Sequence, residues 1–356
     1  MSFTEIKRIE IKKYLLRKID EDDSELITKV ADSFGISVTS VRRYIESLLV
    51  EKSIKTDTKK KCGYRLVFSH KKYTYSLGDI SENEDMVMFN DIMPILQINN
   101  NAGQIWVYAL SEITNNAIEH SEGKNVFIAV DTCCLYSRIT VADDGVGIFK
   151  KVLDTMKKNG QPATAPECAV VELYKGKFTS KPENHSGEGI FFTMKLVDKF
   201  AIISDNMILR SGYCEDPSII KSHLISYAMK FSNKGTVVMM ELSNESSRKA
   251  ADIFNTYSDV DEGFLKTKIP IFEACLDHEP VSRSQARRIL ARLESFKEVI
   301  LDFEKVQYMS QGFSDEMFRV FPNAHPYIKL IPVNMNTEVR NMYLYAIHTK
   351  VEAPKF

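Results

Sequence analysis

Three short polar or glycine-rich segments, far apart in the chain, constrain what this sequence can fold into. They occupy residues 111–121, 142–148 and 185–192 and read S-E-I-T-N-N-A-I-E-H-S, A-D-D-G-V-G-I and H-S-G-E-G-I-F-F. They read as a helix, a strand that runs into a loop, and a loop that runs into a helix. Their order and spacing predict one composite site.

The first segment places two oxygen-bearing side chains one helical turn apart. Glu112 and Asn116 are separated by four residues, which puts both on the same face of a helix. A carboxylate there can orient or deprotonate an attacking hydroxyl or water. The amide oxygen of Asn116 is a hard ligand of the kind that Mg²⁺ prefers.

The second segment follows an alternating strand pattern at residues 137–142. Asp143, directly after it, can accept a hydrogen bond from an adenine amino group. Gly145 and Gly147 allow the backbone to approach a ring and sugar closely, because they have no Cβ.

The third segment opens a helix with glycines. Gly187 and Gly189 precede an apolar run with helical spacing that includes Ile190, Phe191 and Met194. The free N–H groups of such a helix start point at a phosphate, and the helix dipole adds attraction.

In this order, the segments resemble the GHKL ATPase superfamily, which includes gyrase-type ATPases, heat-shock chaperones, sensor histidine kinases and anti-sigma-factor serine kinases. The resemblance covers roughly residues 88–245 and implies an α/β sandwich that binds ATP and Mg²⁺. It further implies a mobile lid at about residues 149–186. The residues it assigns are Glu112 as base, Asn116 as Mg²⁺ ligand, Asp143, Gly145 and Gly147 for adenine, and Gly187 and Gly189 at the end of the lid.

Two further matches extend this resemblance. The segment F-T-S-K-P at residues 178–182 is similar to the lid of histidine kinases, which implies that Lys181 contacts phosphate. The segment K-G-T at residues 234–236 is similar to a late Gly-Thr element that helps to hold the site, which adds Thr236.

The N-terminal region, residues 1–69, has the pattern of a DNA-binding module. An apolar helix is followed by a helix that ends at Gly35 and a second helix from about residue 37, and residues 53–67 read as two strands around a lysine-rich tip. This resembles a winged helix-turn-helix, although many such modules bind protein instead. Residues 1–72 contain 17 Lys or Arg and 11 Asp or Glu, a net charge of +6, which favours DNA. The candidate contacts are Ser37, Thr39, Ser40, Arg42 and Arg43 on the helix and Lys59, Lys60, Lys61 and Arg65 on the wing.

Residues 70–89 are predicted to be a linker with a short strand at about residues 73–77. The central ATP-binding domain is placed at residues 90–245. The prediction for the whole chain is a multidomain α+β protein with a winged helix, a central GHKL α/β sandwich and a small C-terminal α/β domain.

The C-terminal region, residues 254–356, alternates strands and helices. Its segments D-F-E-K-V at residues 302–306 and M-S-Q-G-F at 309–313 resemble STAS domains, and S-R-S-Q-A-R-R at 282–288 with F-S-D-E-M-F at 313–318 resembles a STAS-like family found beside bacterial GHKL ATPases. Strands are predicted at residues 265–276, 299–303 and 328–333, and helices at 282–296, 313–321 and 338–347. Anti-sigma-factor antagonists of this fold are phosphorylated in an Asp-Ser-Ser-Gly turn, whereas this chain has Ser310-Gln311-Gly312. Ser310 and Ser314 are therefore candidate acceptors, with helix N-capping as the more ordinary role of each.

Composition excludes some classes of protein. The net charge of the 356 residues is −1, no apolar run is long enough to cross a bilayer, and the six cysteines show no C-x-x-C spacing. A cytoplasmic protein with reduced thiols is expected. Analogy with winged-helix regulators and GHKL proteins predicts a homodimer, and a protein partner is expected for the STAS-like region.

The expected function is an ATP-binding, DNA-binding transcriptional regulator whose slow hydrolysis of Mg-ATP switches domain contacts. Two alternatives remain open: a serine protein kinase that acts on a STAS-type partner, and a nucleotide-gated scaffold without turnover.

Overall fold

The computed structural model describes residues 4–80, 88–161, 163, 165–178, 187–204, 207–213, 234–259, 261–275 and 278–348. These residues form a multidomain structure with both helices and sheets. No helix in these ranges is long and apolar enough to cross a membrane.

The N-terminal region contains three helices and a hairpin around its own core. Helix α2 ends at Gly35, whose φ of 61° is the left-handed conformation that glycine adopts readily. Helix α3 begins after Ser37, whose side chain accepts a hydrogen bond from the Ser40 N–H at 3.2 Å. The elements are α1 (Glu5–Asp20), α2 (Leu26–Phe34), α3 (Val38–Val50), β1 (Ile54–Thr56) and β2 (Tyr64–Leu66). The buried apolar side chains include Ile11, Leu15, Ile19, Val30, Val41, Ile45 and Leu48.

The central region is built on a six-stranded sheet with the order β3-β4-β5-β8-β6-β7, in which neighbouring strands are antiparallel. The alternating sides of β4 and β5 bury Val126, Ile128 and Val141 against helices on one face. The strands are β3 (Ser69–Ser76), β4 (Asn125–Thr132), β5 (Tyr136–Asp143), β6 (Lys199–Ser204), β7 (Met207–Ser211) and β8 (Val237–Ser243).

The predicted linker at residues 70–89 needs correction, because its first part is strand β3. This strand pairs with the whole of β4, from Ser69 opposite Thr132 to Ser76 opposite Asn125. Tyr73 and Tyr75 pack against the core, while Lys71 and Lys72 are exposed. Lysines suit an edge strand, because they discourage pairing with a further strand. The short strand predicted at about residues 73–77 therefore begins earlier, at Ser69, and ends at Ser76.

Helices cover one face of this sheet and carry most of the site. Helix α5 is the longest of them, and its buried Ile105, Trp106 and Ala109 face the sheet. It packs against α8, which is short and apolar on nearly all sides. The helices are α4 (Leu77–Ile80), α5 (Asn100–His120), α6 (Ile148–Lys158), α7 (Glu167–Lys175), α8 (Gly189–Leu196) and α9 (Ala250–Tyr257), with a π turn at Met88–Ile92 and a 3₁₀ turn at Met93–Ile95 before α5.

The C-terminal region is a small α/β layer with the parallel strand order β11-β12-β13. The predicted helix at residues 282–296 ends earlier, at Leu290, and the predicted first strand is β11 followed by a short helix. The elements are β9 (Ser258–Asp259), β10 (Gly263–Phe264), β11 (Lys266–Pro270), α10 (Ile271–Ala274), α11 (Arg283–Leu290), β12 (Glu298–Asp302), α12 (Gln311–Asp315), a π turn (Glu316–Val320), α13 (Phe321–Ala324), β13 (Lys329–Val333) and α14 (Thr337–His348).

Helix α7 joins the central and C-terminal regions. All its residues from Cys168 to Lys175 are buried, and the carbonyl of Lys175 accepts a hydrogen bond from Thr267 of β11 at 2.8 Å. The predicted lid spans about residues 149–186. Its described part contains helices α6 and α7, and α7 is held by packing from both regions.

A buried ion network fixes the same contact. The Lys175 ammonium lies 2.7 Å from the Glu172 carboxylate, and both side chains are almost fully buried. Lys175 also donates to the carbonyls of Arg288 and Ala291 at the end of α11, while Arg292 pairs with Glu172 at 2.9 Å. Burial lowers the pKa of Lys175, opposed by Glu172. Such a network fixes one relative arrangement, because either charge alone would be costly to bury.

Candidate functional site

A cavity of about 450 Å³ lies between α5, the starts of α6 and α8, the end of β5 and the start of β8. Its volume falls in the range of small-molecule sites. The structure brings residues from all three sequence segments, and from the Gly-Thr element, to its wall. Those already singled out are Glu112, Asn116, Asp143, Gly147, Gly187, Gly189 and Thr236.

Asp143 is the buried acceptor at the end of β5. Only 6% of its surface is exposed, and its Oδ1 accepts hydrogen bonds from the N–H groups of Gly145 at 2.9 Å and Thr236 at 3.2 Å. Burial raises the pKa of Asp143, and these two hydrogen bonds oppose the rise. The carboxylate is therefore held in a fixed orientation on the cavity wall.

Glycines surround Asp143 because the backbone is crowded there. A Cβ on Gly235, whose φ is +84°, would lie 2.2 Å from the Asp143 carbonyl oxygen. A Cβ on Gly145 would lie 2.0 Å from the carbonyl oxygen of Ser121. Gly145 does not line the cavity itself. It lets the turn pack closely against the end of α5, and its N–H donates to Asp143.

The neighbouring carboxylate has a different role. Asp144 accepts hydrogen bonds from the Lys124 N–H at 2.7 Å and from both the backbone and side-chain nitrogens of Asn125 at 2.9 and 2.8 Å. These bonds tie the turn to the start of β4. Asp144 therefore braces the loop, and Asp143 faces the cavity.

Glu112 and Asn116 lie on successive turns of α5, as their spacing predicts. The Glu112 carboxylate reaches the first residue of α8, since a Cβ on Gly189 would lie 1.9 Å from its Oε2. Tyr108, one turn before Glu112, hydrogen-bonds to it, and burial together with the Glu112 and Glu188 charges raises the pKa of Tyr108. Sequence reasoning missed Tyr108 and Glu188, although Tyr108 is four residues before Glu112 and therefore on the same face.

Two helices begin at the cavity. Neither α6 nor α8 is capped by the side chain of its own N-cap residue, so the N–H groups of their first turns, apart from that of Ile148, are available to an anion. Gly147 precedes α6 with a φ of 86°, and the Ile148 N–H donates to the Thr236 hydroxyl at 3.0 Å. Gly187 has a φ of +76°, and a Cβ there would lie 2.5 Å from the Phe178 carbonyl oxygen. Glycine is therefore required at both helix entries.

The cavity also has a cationic and an apolar side. Lys151, one turn into α6, lines it and pairs with Glu122. His120 lines it from the last turn of α5, four residues after Asn116. The spacing from Asn116 could have predicted His120 from the sequence. Lys151 could have been predicted in the same way, because it lies four residues after Gly147. The apolar lining comprises Ile113, Val141, Ile148, Val152, Leu173, Phe178, Ile190, Phe192, Val238 and Phe254.

The structure does not describe every predicted site residue. Lys181 falls outside the residues that the structure describes. Among the described residues, no group of three or more His, Cys, Asp or Glu side chains is arranged to hold a metal. A single amide ligand such as Asn116 could hold Mg²⁺ only together with water or ligand oxygens.

The predicted DNA contacts lie on α3 and the β1–β2 hairpin. Thr39, Arg42 and Arg43 are exposed on α3, whereas Ser37 and Ser40 are hydrogen-bonded to each other in the helix cap. Lys59, Lys60 and Lys61 are exposed at the hairpin tip. Lys60 lies 3.8 Å from Asp22, and Arg65 pairs with Asp57 at 3.2 Å, so these two cations are partly neutralised.

The two candidate phosphoacceptors have different environments. Ser310 is the N-cap of α12, where its hydroxyl accepts from the Phe313 N–H at 3.2 Å and donates to the Val281 carbonyl at 2.7 Å. Ser314 is fully buried and donates to the Met342 carbonyl at 3.1 Å. The capping role expected for both holds for Ser310, whereas Ser314 is a core residue that a kinase could not reach in this fold.

Comparison with known proteins bears on the C-terminal region. The family model described as a STAS-like domain of unknown function (DUF4325) matches residues 285–340. This confirms the predicted STAS-like character of that region. No curated protein matches the chain.

Proposed function

We propose that this chain is an ATP-binding regulator in which a central GHKL-type module binds Mg-ATP, a winged N-terminal module binds DNA and a STAS-like tail contacts a protein partner. One observation carries the nucleotide site: Glu112, Asn116, Asp143 and the glycine-opened start of α8 surround a single cavity of suitable size. Together they offer an adenine acceptor, a metal ligand, a base and a phosphate cradle.

Each group has a distinct task in the proposed site. Asp143 accepts from the adenine amino group, and the apolar walls cover the ring faces. The N–H groups at the starts of α6 and α8 receive the phosphates, with Lys151 adding positive charge. Mg²⁺ would offset the phosphate charge, with Asn116 as its protein ligand. Glu112 accepts the proton of the attacking water. Tyr108 holds the Glu112 carboxylate by a hydrogen bond and so helps to orient it.

The nucleotide proposal is tested by calorimetry with ATP and magnesium. We expect saturable ATP binding, a preference for ATP over GTP, and at least about tenfold weaker ATP binding by Asp143→Asn, since an amide would present a donor to the adenine amino group. Asp144→Asn is the matched control for folding of the same loop. Equal affinity of wild type and Asp143→Asn for ATP would contradict the assignment.

The reaction type is tested by following the γ-phosphate. Wild type is expected to release phosphate slowly, and Glu112→Ala to bind ATP but release phosphate at least about a hundredfold more slowly. Transfer of label to a protein serine, lost in the same variant, would instead identify the serine kinase. Binding without turnover or transfer would identify the nucleotide-gated scaffold.

DNA binding is a separate part of the proposal and rests on the exposed guanidinium groups of Arg42 and Arg43. We expect Arg42→Ala with Arg43→Ala to weaken binding to a promoter fragment and to reduce the slope of log affinity against log salt by about two. Glu46→Ala, on the same helix, is the control and should not weaken binding. Salt-insensitive binding of wild type would make this module a protein-docking element.

A further inference from the structure

Two adjacent thiols lie in the connection between β4 and β5. Cys133 follows the last residue of β4, and its N–H donates to the Tyr136 carbonyl at 3.0 Å, which closes the hairpin. Cys134 is exposed and Cys133 is half-buried. The pair plays no part in the proposed nucleotide chemistry, because it lies outside the residues that line the cavity.

This connection is where the central sheet meets the N-terminal region. Cys133, Leu135 and Tyr136 pack against the N-terminal core, and the Tyr136 hydroxyl donates to Asp20 at the end of α1 at 3.1 Å. Asn244 holds the connection from the other side, because its side-chain nitrogen donates to the Cys133 carbonyl at 2.8 Å and its N–H to the Leu135 carbonyl at 3.0 Å. A change in the backbone at Cys133 would therefore disturb the packing and the Tyr136–Asp20 hydrogen bond that hold the end of α1.

The two thiols differ in acidity because they contact each other. A hydrogen bond from Cys134 lowers the pKa of Cys133, while the same contact raises the pKa of Cys134. Burial raises the pKa of both Cys62 and Cys275. The lowered pKa of Cys133 favours the thiolate, the form that reacts with oxidants, and a second thiol lies beside it.

We propose that Cys133 and Cys134 form an oxidation-sensitive modification site that hydroperoxides convert reversibly into a disulfide between neighbouring residues. The Cys133 thiolate attacks a peroxide oxygen, so that an S–O bond forms, the O–O bond breaks, and the leaving alkoxide takes up the thiol proton. The Cys134 thiol then attacks the resulting sulfenic acid, forming the S–S bond and releasing water. Overall, two thiols and one hydroperoxide give one disulfide, one alcohol and one water.

This disulfide would alter the connection. Neighbouring Cα atoms are about 3.8 Å apart, below the separation of about 4.4–6.8 Å usual for disulfides. The turn must therefore rearrange, and the Cys133 N–H and carbonyl hydrogen bonds described above are the first to be affected. A strained, exposed disulfide is also readily reduced. Oxidation should consequently loosen the contact of Tyr136 with Asp20 and the seating of α1.

The chemistry is tested on the reduced full-length chain with hydrogen peroxide, followed by alkylation and peptide mass mapping. We expect the peptide that contains both cysteines to be lighter by two hydrogen atoms and to escape alkylation, and dithiothreitol to restore it. Cys134→Ser should accumulate a sulfenic acid at Cys133 that dimedone traps, whereas Cys62→Ser should behave as wild type. Faster oxidation of another cysteine, or a disulfide that joins the pair to a third cysteine, would overturn the proposal.

The structural consequence is tested by hydrogen exchange of α1 in the oxidised and reduced chain. Exchange near Asp20 should become at least about tenfold faster on oxidation and return on reduction, and Cys133→Ser with Cys134→Ser should show no response to peroxide. Unchanged exchange despite complete disulfide formation would refute the link to α1. Neither experiment depends on whether the cavity binds a nucleotide.

Discussion

Gly189→Ala should separate catalysis from folding at the proposed nucleotide site. The added Cβ would lie 1.9 Å from Glu112 Oε2 and 2.7 Å from its Cδ. To restore ordinary contact of about 3.4 Å, the carboxylate must move by about 1.5 Å or change rotamer. A displacement of about 1 Å in a reacting group can cost about 10²-fold in rate, equivalent to about 2.7 kcal/mol.

The same substitution should change stability little. Gly189 is the first residue of α8 and does not have a positive φ, so alanine fits its backbone and contributes about 0.4–1 kcal/mol through the unfolded state. The displaced Glu112 side chain costs about 0.5–1.5 kcal/mol if it leaves its preferred rotamer. The two effects nearly cancel, because the clashing atoms belong to the mobile end of a side chain.

The assay compares phosphate release at saturating Mg-ATP, ATP affinity and the thermal midpoint. We expect kcat to fall about a hundredfold in Gly189→Ala, with Kd within about threefold and a midpoint within a few degrees of wild type. Gly103→Ala, in α5 with no side-chain atom closer than 3.9 Å, is the control and should retain full turnover. A folded Gly189→Ala variant with unchanged kcat would refute the placement of Glu112 in the chemistry.

Two further predictions concern the C-terminal region. Lys175→Met should lower the free energy of unfolding by about 2–3 kcal/mol in urea denaturation, because the carbonyls of Arg288 and Ala291 lose their buried donor; unchanged stability would show that the donor is dispensable. Burial opposes ionisation of Asp302, but hydrogen bonds led by that from Lys268 outweigh it and lower its pKa below the ordinary 3.8. Asp302→Asn should therefore cost about 1 kcal/mol at neutral pH, and the difference should disappear as pH falls below 3.8; a pH-independent difference would contradict the ionic origin.

Local patterns in the sequence predicted helix boundaries and the face that helical residues share. The end of α2 at Gly35 and the start of α3 after Ser37 follow from capping preferences that involve only a few residues. The four-residue spacing of Glu112 and Asn116 fixes their common face for the same reason. The chemical roles of these residues remain predictions, because geometry alone does not reveal what binds.

Long-range packing was beyond local patterns. Nothing in residues 167–175 distinguishes a helix in a lid from one buried between two regions, since burial of α7 depends on β11 and α11 about a hundred residues later. The contribution of Glu188 to the site likewise depends on α8 meeting α5. The full length of β3 was underestimated because its first half, S-H-K-K at residues 69–72, is polar and exposed and resembles a connection until β4 is known to be its neighbour.

Helix α7 makes the stability of the central region depend on the C-terminal region. Leu173 borders the cavity, while Lys175, two residues later, closes the end of α11 in the STAS-like part. Truncation after the central sheet would expose the buried helix α7 and its ion network to solvent. We therefore expect the central region and the C-terminal region each to be less stable when separated. A ligand in the cavity would contact α7, the helix against which the C-terminal region packs. A displacement of α7 by that ligand would therefore be transmitted to the C-terminal region.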